Sequence, residues 1–297
     1  MKKFIECGVN LSDKMFKGTY NGKAKHQDDT LNVLNRAFNV GIEKIIILSD
    51  SLSGCCEVEK LLNLSDKLFM TVGCHPTNCN EMVDETNKYI GELRNITRDN
   101  YRVVAIGECG LDYDRENFCP REIQKPNFEK QVQLAVELQL PLYLHCRAAH
   151  EDLIIILQKY YKYLPHNRLG VVHTFDGTFE QAEQLLEMGF YLGINGCSLK
   201  SDENLQVVKK LPLDRLLIET DSPWCDVRPS HAGYKYVKTF MESNKKERWS
   251  GNCAVKGRNE PGNIIQIFEI LCGIRTESPD EICDVLFSNS EKLFTRI

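Results

Sequence analysis

The stretch Val103-Val-Ala-Ile-Gly-Glu-Cys-Gly-Leu-Asp112 joins a short apolar run directly to an acidic side chain, Glu108. Such a run, rich in aliphatic residues, is typical of a strand buried on both faces, as in a parallel sheet. Seven similar runs occur, nearly all separated by amphipathic helical patterns. The eight predicted strands are Phe4–Val9, Lys44–Leu48, Leu68–Gly73, Val103–Gly107, Leu140–Leu144, Leu169–Val172, Phe190–Ile194 and Leu216–Ile218.

A (β/α)8 barrel closes with eight strands that alternate with helices, which is the number predicted here. The first helical pattern covers residues 28–39 and places Leu31, Leu34 and Phe38 on one face. A doubly wound sheet is the alternative, but no Gly-x-Gly-x-x-Gly motif follows the first strand. We therefore predict an α/β fold of the TIM-barrel type and a single domain over residues 1–297. Further helices are predicted at 54–66, 85–97, 122–138, 150–161, 178–188, 202–210, 262–274 and 279–294.

Composition excludes several classes of protein. The chain has 297 residues and a formal charge of −5, so it does not hold nucleic acid mainly by a large positive field. Thirteen cysteines without a C-x-x-C pair speak against a zinc ribbon and suit a reducing compartment. Glu6 interrupts any signal-peptide core, and no apolar run approaches the roughly 20 residues that span a bilayer. We predict a cytoplasmic or nuclear protein that is not secreted and has no membrane partner.

Polar side chains follow five of the predicted strands. They are His75, Glu108, His145, His173 and Asp221. The carboxyl ends of barrel strands open onto one face, so imidazoles and carboxylates distant in sequence are expected to share a pocket suited to a divalent ion. Asp112 and Asp114 are ligands or turn-stabilising acids. Arg147 binds a phosphate or forms a salt bridge with a neighbouring acid.

Six motifs in order resemble the signature of the TatD family of metal-dependent deoxyribonucleases. They are Gly73-Cys-His-Pro76, Ala105-Ile-Gly-Glu-Cys-Gly-Leu-Asp112, Leu144-His-Cys-Arg147, Val172-His173, Ile218-Glu-Thr-Asp-Ser-Pro223 and Arg258-Asn-Glu-Pro261. The stretches Cys74–Thr77 and Gly193–Ser198 are most similar to the eukaryotic TatD domain-containing nucleases. This chain has Gly8 and Asn10 where many relatives carry His-x-His.

The resemblance implies a barrel of the amidohydrolase kind and hydrolysis of DNA phosphodiester bonds, including 3′-to-5′ exonuclease action. It implies two divalent cations (Mg, Mn or Zn) that activate water. The matching metal ligands are Glu108, His145, His173 and Asp221. Glu108, Asp221 and His75 are the expected catalytic residues, with Asp221 taking the proton of the water and His75 contacting the phosphate or the leaving group. Arg147 is the expected phosphate contact.

Basic and aromatic residues cluster in the segment 225–257 and just beyond it. They are Lys235, Lys238, Lys245, Lys246, Arg248, Lys256 and Arg258 with Tyr234, Tyr236, Phe240 and Trp249. Such a mixture suits single-stranded DNA or frayed DNA ends, and a solvated loop that packs on the barrel rim is the alternative. Arg258 and Glu260 are expected to tie this loop to the barrel. No obligate protein partner is predicted.

Two other functions remain open on the sequence. The same pocket chemistry serves a metal-dependent hydrolase of a small amide or lactone, because a carbonyl is attacked as readily as a phosphodiester. A non-catalytic binding protein with a structural metal is the other alternative, although a complete set of four candidate ligands favours an enzyme.

Overall fold

The computed structural model describes residues 2–297. Within that range, eight parallel strands form one sheet and follow one another in it in chain order, with a helix between each strand and the next. This alternation is that of a TIM-type barrel, so the predicted fold class is confirmed. The strands are β1 Phe4–Val9, β2 Ile42–Ile47, β3 Leu68–Val72, β4 Val103–Asp112, β5 Leu142–Arg147, β6 Gly170–Val172, β7 Tyr191–Ile194 and β8 Leu216–Ile218.

The α-helices agree with the predicted ones to within a few residues at most ends. Ser51 and Ser201 cap two of them, because each side chain accepts a hydrogen bond from a backbone N–H of the first turn. The helices are α1 Thr30–Asn39, α2 Leu52–Leu62, α3 Thr86–Asp99, α4 Arg121–Leu138, α5 His150–Tyr160, α6 Phe179–Met188, α7 Asp202–Lys210, α8 Ile264–Ile274 and α9 Pro279–Leu293.

Two predictions about individual elements are wrong. Strand β4 continues beyond Gly107 to Asp112, because residues 109–112 pair with β5 after a register shift between Ile106 and Cys109. The buried face of α1 is not the one that includes Leu31, which is 57% exposed; Val33, Leu34 and Ala37 are buried instead. Asp29, at the start of the helix, binds the buried Arg258 through both carboxylate oxygens.

Contacts within the chain group the described residues into two compact units. Unit 1 runs up to Ile46 and includes Thr174–Phe179 and Gly193–Ser290. Unit 2 consists of Ile47–His173, Glu180–Leu192 and Glu291–Ile297. The single domain over residues 1–297 stays a prediction.

In unit 2, helix α4 holds two strand ends through buried glutamine side chains. The Gln131 amide accepts from the backbone N–H of Cys74 at 2.7 Å and donates to its carbonyl at 3.0 Å. The Gln124 amide does the same for Asp112, at 2.8 and 2.9 Å, and also donates to the carbonyl of Cys119. Because unpaired buried backbone groups are costly, these amides stabilise the segments that carry His75 and Asp112.

In unit 1, a buried ion cluster anchors the segment that follows β8. The Arg258 guanidinium binds both oxygens of Asp29 at 2.8 and 2.7 Å and Glu260 Oε1 at 2.8 Å. Arg36 donates to both oxygens of Glu260, to Oε2 at 2.8 Å and to Oε1 at 3.0 Å. The expected anchoring role of Arg258 and Glu260 is therefore seen here. Arg258 is buried, so its place among the DNA-binding candidates is wrong.

Two further observations concern the chain as a whole. All thirteen cysteines, each within residues 2–297, are free thiols. In the part of the chain that the structure describes, no helix has the length and the apolar character needed to cross a membrane.

Candidate active site

Three imidazoles surround one carboxylate oxygen in unit 2. Glu108 Oε1 lies 2.9 Å from His145 Nδ1, 2.9 Å from His173 Nε2 and 3.4 Å from His75 Nε2. His75 follows β3, Glu108 and His145 lie within β4 and β5, and His173 follows β6. Four of the five residues predicted from the sequence are therefore brought together at neighbouring strand ends.

Strand β4 places Glu108 by an irregular backbone. The register with β5 shifts between Ile106 and Cys109, and Glu108 lies in this interval. Gly110 then allows an approach that no other residue permits: it has φ +145°, and a Cβ at this position would lie 1.9 Å from the carbonyl oxygen of His145. The two strands that carry Glu108 and His145 come this close because Gly110, two residues after Glu108, has no side chain.

Burial and mutual contacts shift the pKa values of this cluster. Burial opposes ionisation of Glu108, but the electrostatic effect of His173 and His75 and the hydrogen bonds from His145 and His173 outweigh it, and the pKa of Glu108 lies well below its usual value. Burial lowers the pKa of His75 to about 4. Burial also opposes protonation of His145, yet its hydrogen bonds to Asp112 and Glu108 raise its pKa. At neutral pH the cluster thus has an ionised Glu108 and a neutral His75.

Asp112 is a site residue whose role the sequence left open. Its Oδ2 lies 3.1 Å from His145 Nε2, so that His145 is held between two carboxylates. The side chain is buried, and Oδ1 has no hydrogen-bond partner among the described residues. Hydrogen bonds from His145 lower the pKa of Asp112 against the effect of burial. The sequence named Asp112 together with Asp114 as a ligand or a turn-stabilising acid, and of the two Asp112 is the one that contacts His145.

Arg147 and His75 each have a further partner within the protein. Arg147 Nε donates to Asp114 Oδ2 at 3.0 Å, and both side chains are about half exposed. This is the salt bridge that was the alternative to a phosphate contact. His75 Nδ1 accepts from the backbone N–H of Thr77 at 3.2 Å and lies 2.7 Å from its hydroxyl.

Asp221 belongs to unit 1, where polar side chains fix its carboxylate. Asn10 Nδ2 donates to Oδ1 at 2.9 Å, and the Cys225 thiol donates to Oδ2 at 3.2 Å. The backbone N–H of Asp221 donates to the carbonyl of Gly8, and the residue adopts φ +51°. The left-handed conformation of a non-glycine residue costs energy, and it is retained here at a predicted ligand.

Strand β1 contributes a buried acid close to the same segment of unit 1. Glu6 Oε1 accepts from the backbone N–H groups of Gly8 and Thr220, at 3.1 and 2.9 Å. Burial raises the pKa of Glu6 to about 8. In unit 1, Glu219 similarly accepts from Thr174 N and Asn195 Nδ2, at 2.7 and 3.1 Å. Glu6 therefore holds the backbone at Gly8 and Thr220, and Glu219 holds Thr174 and Asn195. The sequence suggests Glu6 as a candidate oxygen ligand, and here its Oε1 is occupied by backbone N–H groups.

The donor set in unit 2 fits a divalent cation. Donor atoms of His75, Glu108 and His145 all lie within 4.8 Å of one another. Ligands bound to one cation at about 2.0–2.2 Å lie roughly 3.0–3.4 Å apart, close to the separations around Glu108 Oε1. Imidazole nitrogen with carboxylate oxygen suits zinc, manganese or cobalt.

Comparison with known proteins agrees with this geometry. The family model described as TatD related DNase matches residues 9–295. The chain belongs to this family. The deoxyribonuclease Tat-D of Schizosaccharomyces pombe is 40% identical to it over 99% of this chain and 96% of that protein. The 3′-5′ ssDNA/RNA exonuclease TatD of a Rahnella species is 33% identical over 98% and 97%.

Solved structures of the TatD type have the same fold. A TatD family hydrolase from Entamoeba histolytica superposes with a TM-score of 0.93 at 38% identity, over 100% of this chain and 99% of that one. An uncharacterized amidohydrolase from Saccharomyces cerevisiae gives 0.92 at 30% identity, over 99% and 100%. Membership of the TatD related DNase family confirms the predicted enzyme class, a hydrolase that acts on ester bonds.

Proposed function

We propose that this chain is a divalent-metal-dependent nuclease that removes nucleotides from the 3′ end of DNA. The observation that carries the proposal is the convergence of His75, His145 and His173 on Glu108 Oε1 at adjoining strand ends. The Rahnella relative is named as a 3′-5′ ssDNA/RNA exonuclease, which supports the direction of cleavage and the class of substrate.

Glu108, His145 and His173 are the proposed ligands in unit 2, and Asp221 is the proposed ligand from unit 1. Two cations, magnesium, manganese or zinc, complete the proposed cofactor set. When bound, the cations lower the pKa of water and neutralise phosphate charge. Asp221 is the proposed acceptor of the proton that the attacking water loses. Asn10 and Cys225 orient its carboxylate for this role.

His75 is the proposed hydrogen-bond donor to the phosphate or to the leaving oxygen. The backbone N–H of Thr77 occupies Nδ1, so the ring proton of the neutral imidazole is on Nε2. That nitrogen is on the side of Glu108. The low pKa of His75 keeps the ring neutral at physiological pH, and the Nε2–H therefore acts as a fixed donor.

Arg147 is the proposed phosphate contact. Its partner Asp114 is 55% exposed, and an exposed ion pair contributes little stability. A phosphate offers the guanidinium two oxygens in place of one carboxylate contact, which favours exchange of the partner. Arg147→Lys tests this role, since lysine keeps the charge but loses the planar fork.

Trp224 is the proposed platform for a base of the substrate. Its side chain is 53% exposed, which is unusual for tryptophan. Its backbone is held by two hydrogen bonds: Trp224 N donates to the carbonyl of Asp221, and Asn259 Nδ2 donates to the carbonyl of Trp224. Phe240 and the lysines Lys235, Lys238 and Lys245 of the same unit are also exposed and are further proposed contacts for the substrate. A pinned, exposed ring favours stacking on single-stranded or frayed ends.

The test of the activity is hydrolysis of end-labelled DNA by the purified protein. We expect activity to disappear after chelation, to return with added manganese or magnesium, and to be lost in Glu108→Gln. Glu137→Gln, an exposed carboxylate of the same unit, is the matched control and should keep full activity. Equal activity of Glu108→Gln and the unaltered protein would refute the proposal, and a preparation that hydrolyses only amide or lactone substrates would support the alternative chemistry.

The test of the substrate surface compares DNA with bis(p-nitrophenyl) phosphate, which has no base to stack. Stacking of one base contributes about 1–3 kcal/mol, so Trp224→Ala should raise KM for single-stranded DNA by roughly 5- to 150-fold. Trp224→Phe should restore most of the binding, and neither change should affect the small ester. A rise in KM for both substrates would contradict a stacking role. Release of mononucleotides from a 5′-labelled strand with a shrinking labelled product would support the 3′-to-5′ direction.

A further inference from the structure

Two thiols of unit 1 lie in contact beside Asp221. Cys197 Sγ is 3.0 Å from Cys225 Sγ, and the Cys225 thiol donates to Asp221 Oδ2 at 3.2 Å. Cys197 lies in the segment after β7 and Cys225 in the segment after β8. Both residues are partly exposed, so a small oxidant has access to them.

The backbones of the two segments also come close to each other. A Cβ at Gly196 would lie 2.1 Å from the carbonyl oxygen of Cys225, so only glycine permits this approach. Asn195 Oδ1 accepts from the backbone N–H of Cys197 at 2.9 Å and holds that residue in place. A disulfide bond is about 2.05 Å long, so the two sulfurs need to approach by about 1 Å.

We propose that Cys197 and Cys225 form a reversible disulfide, which removes a hydrogen bond from the carboxylate of Asp221 and thereby lowers activity. In the reduced protein, the Cys225 S–H is a donor to Asp221 Oδ2. In the oxidised protein, the sulfur of Cys225 has no hydrogen, and this donor is lost. The effect on activity rests on the proposed role of Asp221, whereas formation of the disulfide does not.

Hydrogen peroxide is the oxidant class that balances the step. The thiolate of one cysteine attacks a peroxide oxygen, the O–O bond breaks, and a sulfenic acid and hydroxide form. The sulfur of the second cysteine then attacks the first, the S–O bond breaks, and hydroxide leaves. The two cysteines lose two electrons and two protons, and the peroxide becomes two molecules of water. A dithiol reductant such as dithiothreitol reverses the change by thiol–disulfide exchange.

The disulfide is tested by peptide mapping of the full chain after peroxide treatment, without reduction. We expect a linked pair of peptides that contain Cys197 and Cys225 and that have lost two hydrogens. Cys56 is exposed and serves as the internal control for exposure to oxidant. Oxidation of Cys56 with no link between Cys197 and Cys225 would overturn the proposal.

The consequence for the site is tested by nuclease activity on the same samples. Loss of a hydrogen bond to a ligating carboxylate costs about 10- to 100-fold in activity or metal affinity, so we expect a loss of that size, reversed by dithiothreitol. Cys197→Ser keeps the Cys225 thiol and should resist peroxide, whereas Cys56→Ser should respond like the unaltered protein. A linked protein with undiminished activity would overturn the switch. A reduced protein without nuclease activity would refute the proposed function instead. The peptide map would still show whether the disulfide forms.

Discussion

Replacement of Asp112 by asparagine removes the negative charge that contacts His145 and measures what this charge contributes to cation affinity. The Asp112 side chain is buried, and its Oδ2 lies 3.1 Å from His145 Nε2. The backbone of Asp112 is held separately by Gln124, so a near-isosteric change leaves the fold in place. A hydrogen bond to a charged group contributes about 1.5–3 kcal/mol and a neutral one about 0.5–1.5 kcal/mol. Asp112→Asn should therefore cost about 1–1.5 kcal/mol, which is a roughly 5- to 13-fold weaker cation affinity.

The assay is calorimetric titration of the metal-free protein with manganese, with the pKa of His145 followed by NMR. Hydrogen bonds to Asp112 and Glu108 raise the pKa of His145, so Asp112→Asn should lower it. Asp114→Asn is the matched control: this acid is two residues away, about half exposed and paired with Arg147. Unchanged affinity and an unchanged pKa in Asp112→Asn would refute the reasoning, as would an equal effect of Asp114→Asn.

Two other predictions concern stability in unit 1. Arg258→Met removes the fully buried cation that binds both Asp29 and Glu260 and leaves them only Arg36, so it should lower the free energy of unfolding by about 3–5 kcal/mol in urea titration; a loss below about 1 kcal/mol would contradict this. Burial raises the pKa of Glu6 from 4.5 to about 8, so the native state keeps a proton that the unfolded chain releases, and stability falls as pH rises through that window. Glu6→Gln should remove this decline, and a stability difference between Glu6→Gln and the unaltered protein that does not change with pH would contradict the pKa.

The fold was predictable because its strands are buried on both faces. Runs such as Phe4–Val9 and Leu216–Ile218 need no register information to be recognised, and both strands have the predicted bounds. The extension of β4 to Asp112 was missed because the sequence Gly-Glu-Cys-Gly interrupts the apolar run, and only pairing with β5 shows that it continues. The buried face of α1 was missed in part because Val33, Leu34 and Ala37 face the interior while Leu31 is exposed, and the apolar pattern of the sequence fits either face.

The site was predictable as far as it depends on strand ends. His75, Glu108, His145 and His173 meet because neighbouring strands place them at one edge. The contacts of Arg147 with Asp114 were not decided by the sequence, since either a phosphate or an acid satisfies an arginine. The contact of Cys197 with Cys225 was not foreseen, because 28 residues separate them and nothing in their spacing indicates proximity.

Helix α4 fixes the distance between the two strand ends that Gln124 and Gln131 hold. Gln124 and Gln131 are seven residues apart, which is about 10.5 Å along the axis and nearly two full turns, so both amides leave the helix on the same side. One inserted residue between them would turn one amide away by about 100° and leave a pair of buried backbone groups unsatisfied. A change in the length of the chain between the two glutamines is therefore not tolerated, because their spacing sets how far apart the segments of His75 and Asp112 are held.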